Sequence, residues 1–335
     1  MNESSKQNHL IDRFGRSVDY LRISITDRCD FRCVYCMAED MEFLPRAQIL
    51  TLEEIHTIAL AFTELGVKKI RVTGGEPLVR KGALELLQNL GRIKSLNELV
   101  ITTNGSQLAT MAEDLKKAGI KRVNISLDTL DANKFKAITR TGDLNQVIKG
   151  IQAAKAVGFI RIKINAVILK DRNHLEVCDL VQFAVDNGID ISFIEEMPLG
   201  VVNQHNRSEA YYSSDLIKTD LVKRFDLVAS IEKTGGPSNY FQVTGSQTRV
   251  GFISPHSKNF CSTCNRVRLT VEGRLLLCLG NEHSVDLKEV LRTHPGDQDI
   301  LKQTIIDAMQ IKPEKHEFNI HEQPVILRHM NVTGG

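Results

Sequence analysis

Cys29-Asp30-Phe31-Arg32-Cys33-Val34-Tyr35-Cys36 sets three cysteines within eight residues, directly after the alternating, strand-like run Tyr20 to Thr26. Cysteine thiolate is the usual protein ligand of a four-iron cluster, and three thiolates on one loop leave one iron without a protein ligand. An open metal position marks chemistry, whereas a closed ligand shell marks structural stapling. The loop therefore reads as a reactive centre. A C-x2-C pair alone also serves zinc ribbons and redox dithiols, and small secreted domains crowd cysteines for disulfides. The full C-x3-C-x2-C spacing is rarer than either.

Outside this loop, the 335 residues can bury a full core as one large barrel or two domains. With 42% hydrophobic and 25% charged residues, the composition is that of an ordinary globular protein. A net charge of +2 is too small to draw nucleic acid or a membrane surface, so anion binding must come from local placement of Arg and Lys. The polar start, Met1 to Leu10, has no apolar signal core, and no stretch reaches the ~18 apolar residues of a membrane span. Of the seven cysteines, six fall in two clusters and Cys178 stands alone at helical spacing from Leu175 and Val181, as a core residue would. That usage suits metal ligation in a reducing cytoplasm better than a disulfide framework.

Alternating runs and helical stretches then follow in turn. Strands are expected at Tyr20 to Thr26, Lys68 to Thr73, Glu98 to Thr103, Arg122 to Asp128, Ile160 to Ile168 and Ile189 to Glu195. Between them lie helices at Leu52 to Leu65, opened by a Thr51/Glu54 capping box, Gly82 to Ile93, Gln107 to Ala118, Asp131 to Val157 broken near Gly142, and His174 to Asn187. This rhythm implies parallel strands with right-handed crossovers. Six units are two short of a closed eight-stranded barrel. The expected fold is an α/β partial (β/α)6 TIM-like barrel, open on one flank, with divisions at 1–19 (extension), 20–197 (barrel) and 198–335 (carboxyl-terminal region).

Crossover helices cover the outside of such a sheet, so the aliphatic face of each strand should meet helices and the opposite face the lumen. Here the lumen set is polar: Arg22 and Ser24, Arg71 and Thr73, Thr102, Asn124 and Ser126, Lys163 and Asn165. Three cations in a lumen are costly unless water or a ligand solvates them, which predicts an anion-binding channel. The cysteine loop, Thr73-Gly74-Gly75-Glu76-Pro77, Thr102-Thr103-Asn104-Gly105 and Glu195-Glu196-Met197-Pro198 all fall at carboxyl ends of strands, where barrel active sites form.

Past Pro198 the rhythm is lost, and a second set appears: Cys261-Ser262-Thr263-Cys264, with Cys278 further on. On its own this set also reads as a Cys3His zinc site, with His283 as fourth ligand. Asn265-Arg266-Val267-Arg268 and Arg274 place guanidinium groups beside the loop, where a planar or phosphate-bearing ligand could sit. His174, His205, His256 and His316 show no partner pattern and read as surface or packing residues.

The first loop, with Tyr35 before its last cysteine, resembles the radical S-adenosylmethionine superfamily. Together with the GGEP segment, the C-x2-C-x13-C set and the Arg-x-Arg after it, the chain from about Arg16 to Gly335 is similar to the molybdenum cofactor biosynthesis A family, the GTP 3′,8-cyclases. The resemblance implies two [4Fe-4S] clusters, on Cys29, Cys33 and Cys36 and on Cys261, Cys264 and Cys278, which would replace the zinc alternative. It implies S-adenosylmethionine contacts at Tyr35, Gly75, Ser126 and Met197, with Glu76 meeting the cofactor's amino group. GTP contacts would fall on Arg22, Arg71, Thr102, Lys163, Arg266 and Arg268. Arg266, Arg268, Gly334 and Gly335 would carry the cyclisation. The implied partners are GTP, a low-potential electron donor of flavodoxin or ferredoxin type and the cyclic pyranopterin monophosphate synthase acting next. A cytoplasmic location and a homodimer accord with it. Two departures stand out: Ser192 replaces an arginine some members carry, and Val332-Thr333 precede Gly334-Gly335 where Tyr or His and Ile are frequent.

Overall fold

A computed structural model describes residues 9–202, 205–232, 234–320, 322 and 326–334; Gly335 lies outside the described residues. The six expected strands form: β1 (Tyr20–Ser24), β2 (Lys69–Thr73), β3 (Glu98–Thr103), β4 (Arg122–Ser126), β5 (Arg161–Val167) and β6 (Asp190–Ile194). Helices α1 (Leu52–Glu64), α2 (Ala83–Gly91), α3 (Leu108–Lys117), α4 (Ala132–Thr139), α5 (Leu144–Val157) and α6 (Val177–Asn187) alternate with them. The Thr51 side chain accepts from Glu54 N while the Glu54 side chain accepts from Thr51 N, so the expected capping box starts α1. The stretch expected as one helix from His174 begins as a 3-10 turn, His174–Glu176, before α6.

Beyond β6 come α7 (Arg207–Ala210), α8 (Ser214–Leu221), β7 (Leu227–Ala229), β8 (Asn239–Val243), β9 (Arg249–Ile253), β10 (Arg266–Leu269), β11 (Arg274–Leu276) and β12 (Ser284–Asp286), then α9 (Leu287–Thr293), α10 (Gln298–Ala308) and α11 (Met330–Thr333). Among the described residues all strands join one open sheet in the order β12-β11-β10-β1-β2-β3-β4-β5-β6-β9-β8-β7. Strands β1 to β6 pair in parallel with their successors. The carboxyl-terminal residues do not attach at a single edge. β10 lies parallel beside β1 and β9 parallel beside β6, so the two exposed edges of the six-stranded unit are both covered.

The period-2 pattern sorts the faces as expected. Leu21, Ile23, Ile70, Val72, Val123 and Ile125 are fully buried in the core shared with the helices. Each such side chain contributes roughly 1.5–3 kcal/mol. On the other face, register sets Arg22 between Arg71 of β2 and Arg268 of β10, and places Arg266 opposite Tyr20. Parallel pairing of β10 thus brings two arginines from the far end of the chain into line with cations from its beginning. Among the described residues no helix is long and apolar enough to cross a membrane.

Candidate active site

One cavity, with about 270 Å³ open to the centres of water molecules, takes its lining from the inner faces of the strands and from both cysteine loops. Cys29, Cys33 and Cys36 line it, and so do Cys261, Cys264 and Cys278. Arg22, Lys69, Arg71, Lys163, Arg266 and Arg268 all face it, against Asp128 as the one carboxylate among its described lining residues. Such an excess of fixed positive charge in a low-dielectric recess selects a polyanion.

The first cysteine loop is clamped from two sides. Arg32 N and Val34 N donate to Thr139 O and Ile138 O at the end of α4, both at 2.9 Å, and Phe31 packs edge-on against Phe135 in the middle of that helix. Phe31 N donates to Cys29 Sγ at 3.4 Å. Burial raises all three thiols, Cys36 to about 12, so they stay protonated until a cation takes the proton's place. Soft, desolvated sulfur donors on one loop fit an iron-sulfur cluster.

Gly74 and Gly75 serve the same clamp. A Cβ on Gly74 would stand 2.5 Å from Thr26 O, and one on Gly75 2.4 Å from Arg28 O, so the two loops can touch only through glycine. Gly75 N donates to Thr26 O at 2.7 Å. Glu76 follows directly. It does not line the cavity; its carboxylate is buried and accepts from Leu78 N, Thr103 Oγ1 and Asn104 N at 3.0, 2.9 and 2.6 Å. Those three donors tie the second strand's loop to the third's through one carboxylate. Tyr35 does face the cavity and donates to Asp128 Oδ2 at 2.8 Å, while Val167 N donates to Asp128 Oδ1.

At the second loop, Arg16 Nη1 donates to Cys261 O at 2.8 Å, and the buried Lys312 donates to Leu277 O at 2.7 Å and lies 3.7 Å from Cys264 Sγ. Burial pushes the Cys264 thiol up, but the Arg266 and Lys312 charges outweigh it and hold the thiol below its ordinary value. Burial raises Cys278. His283, the fourth ligand of the zinc alternative, bonds Asn281 and does not line the cavity. Among the described residues no three His, Cys, Asp or Glu side chains close on a single ion.

Tyr35, Gly75, Ser126, Met197, Thr102 and the expected cations all line the cavity. Gly334 does not, but its carbonyl accepts from Arg268 and a Cβ there would meet Thr73, which does. Tyr20, Lys69 and the segment from Thr234 to Ser238 line it without having been singled out. Tyr20 and Lys69 share strand parity with Arg22 and Arg71, a signal available from alternation. A hub beside Met197 was not foreseen: buried Glu196 bonds His205 Nε2 at 2.7 Å and accepts from Arg207 Nε at 3.1 Å, and Arg207 also donates to Leu199 O and Gly200 O. His205, expected as a surface or packing residue, is thus buried and hydrogen-bonded to Glu196.

A βα sheet whose first strand runs into a three-cysteine loop defines a radical S-adenosylmethionine enzyme, and residues 23–184 match the Radical SAM superfamily. Residues 189–318 match the family described as Molybdenum Cofactor Synthesis C. The GTP 3′,8-cyclase of Pseudomonas entomophila (strain L48) is 61% identical over 327 residues, 97% of this chain and 98% of that protein. That of Saccharophagus degradans (strain 2-40) is 57% identical over 326 residues, with the same shares. The chain belongs to the GTP 3′,8-cyclase family. Among solved structures, Streptococcus suis SuiB bound to S-adenosylmethionine shares the fold, with a TM-score of 0.63, 18% identity and coverage of 86% of this chain and 67% of that one.

Proposed function

We propose that the chain converts GTP to 3′,8-cyclo-7,8-dihydro-GTP, the first step of molybdenum cofactor biosynthesis, inside the cavity shared by the two cysteine triads. The observation that carries this reading is that six cations and both triads line one cavity. In this reading β1 to β6 form a partial barrel open on one flank, 198–335 is a carboxyl-terminal region that completes the cavity, and 1–19 is an extension.

Cys29, Cys33 and Cys36 would hold one [4Fe-4S] cluster, with S-adenosylmethionine against Tyr35, Gly75, Ser126 and Met197, and Cys261, Cys264 and Cys278 a second. When bound, the first cluster and S-adenosylmethionine supply the 5′-deoxyadenosyl radical that removes the 3′ hydrogen of GTP before C3′ joins C8. The protein's own work is orientation. Arg22, Arg71 and Lys163 grip the triphosphate, Thr102 shares a hydrogen bond with Arg71 Nη1 at 2.9 Å and so fixes its fork, and Arg266 and Arg268 hold the guanine end beside the second triad. Lys163 Nζ donates to Ser192 Oγ at 3.1 Å and lies 3.3 Å from Tyr240 OH, so Ser192 steers a cation at the position where some relatives carry one. Gly334 is held by the Arg268 contact, and Gly334 and Gly335 would act in cyclisation.

A low-potential flavodoxin or ferredoxin would deliver two electrons, one to open S-adenosylmethionine and one, with a proton, to complete the dihydro product; the next enzyme would be a cyclic pyranopterin monophosphate synthase, and the protein would work in the cytoplasm. Anaerobic incubation of the reconstituted protein with GTP, S-adenosylmethionine and reductant tests the reading. The cyclic nucleotide should form alongside 5′-deoxyadenosine; release of 5′-deoxyadenosine with GTP left intact would count against it.

A further inference from the structure

Tyr20 is buried on the cavity side of β1, and its hydroxyl accepts from Arg71 Nε at 2.5 Å. Positive charge faces it from every neighbouring strand. Arg22 stands on its own strand, Lys69 on β2 holds its ammonium 5.0 Å from the ring centre, and Arg266 on β10 lies opposite it in register with Arg268 beyond. The nearby carboxylates are committed elsewhere. Glu98 pairs with Lys69 at 2.7 Å and Arg122 at 2.9 Å, and exposed Asp19 accepts from Asn265 at 2.7 Å. The phenol oxygen is therefore the acidic group set directly against the cations assigned above to the triphosphate.

We propose that Tyr20 is a positioning residue of the polyphosphate site: its ionised phenol holds Arg71 in the nucleotide-free enzyme and takes up a proton when phosphate claims the surrounding cations. This rests on the reading of the cavity as a nucleotide site. Burial by itself would raise the phenol, but the charges of Arg71, Arg22 and Lys69 outweigh it and hold it at about 6. A bound polyanion cancels that advantage and leaves the burial, so the phenol reprotonates. The complex then binds more protons than the free protein. By linkage, GTP affinity falls as pH rises above about 6, by up to about tenfold per pH unit for one proton. At pH 7 the Tyr240 phenol, lowered only to about 8 beside Lys163, is already largely protonated and adds little.

The test is calorimetric titration of GTP into the anaerobic, reconstituted enzyme at pH 7 in buffers of different ionisation enthalpy, with wild type and Tyr20→Phe. Wild type should take up about one proton per GTP more than the variant. The ultraviolet band of ionised tyrosine should also fall on GTP addition in wild type alone. Equal proton uptake in the two proteins, or an unchanged tyrosinate band in wild type, overturns the proposal, and the second readout stands even if Tyr20→Phe does not fold. Absence of any GTP heat in wild type would instead remove the nucleotide reading of the cavity.

Discussion

Arg268 Nη1 donates to the carbonyl oxygen of Gly334 at 2.5 Å, which joins the strand beside the second cysteine triad to the last described residue of the chain. The tail reaches that point along the first triad's side of the cavity, where Asn331 Nδ2 donates to Asp27 O at 2.9 Å. Gly334 has φ +76°, and a Cβ there would stand 2.2 Å from Thr73 Cγ2.

Gly334→Ala therefore meets both a left-handed backbone, costing about 1–2 kcal/mol, and a clash with Thr73. The expected outcome is a lower ratio of cyclic nucleotide to 5′-deoxyadenosine, with S-adenosylmethionine cleavage retained. Product ratios by chromatography check it; an unchanged ratio would make the tail a bystander.

Charge-assisted hydrogen bonds to phosphate are worth roughly 1.5–3 kcal/mol each. Lys163→Ala or Arg71→Ala should thus weaken GTP binding roughly ten- to a hundredfold, with little change in circular dichroism. Unaltered affinity in both variants would remove the cavity's cations from the substrate site.

The two triads should separate cleanly. Cys33→Ala removes one of the three proposed ligands of the first set and should abolish 5′-deoxyadenosine formation. Cys278→Ala should leave that formation measurable while cyclisation fails. Iron and sulfide analysis of both variants locates the loss.

Glu76 gives a pH-dependent test of stability. Burial raises its carboxyl from 4.5 to about 7, so between those values the folded state holds a proton that the unfolded state has released. Stability from this group is therefore present at pH 4.5 and lost as pH rises to about 7. Glu76→Gln keeps an acceptor and should flatten that part of the profile. Glu76→Ala strands Leu78 N and Asn104 N and should lower the thermal midpoint throughout. Midpoints at several pH values distinguish the three proteins.

The cavity face of the six parallel strands was legible because a strand's side-chain period is two, and Arg22, Arg71 and Lys163 each break an aliphatic run at the same parity. Tyr20 escaped notice because a tyrosine in a strand looks like packing until the cations around it are known. Lys69 was visible by parity yet stands at the strand's first residue, where solvent exposure is the ordinary expectation. Where β9 and β10 would attach could not be read from local pattern, since either edge of six parallel strands offers the same unpaired backbone groups. The three donors to Glu76 could not be read from a carboxylate beside two glycines, because they come from residues near and far in sequence.

The central claim is that hydrogen leaves C3′ of GTP within this cavity, and isotope transfer reads it directly. With GTP deuterated at C3′, S-adenosylmethionine and reductant under anaerobic conditions, mass spectrometry of the released 5′-deoxyadenosine should find the deuterium there, together with cyclic nucleotide lacking it. Unlabelled 5′-deoxyadenosine, with the deuterium retained on GTP, would contradict the account.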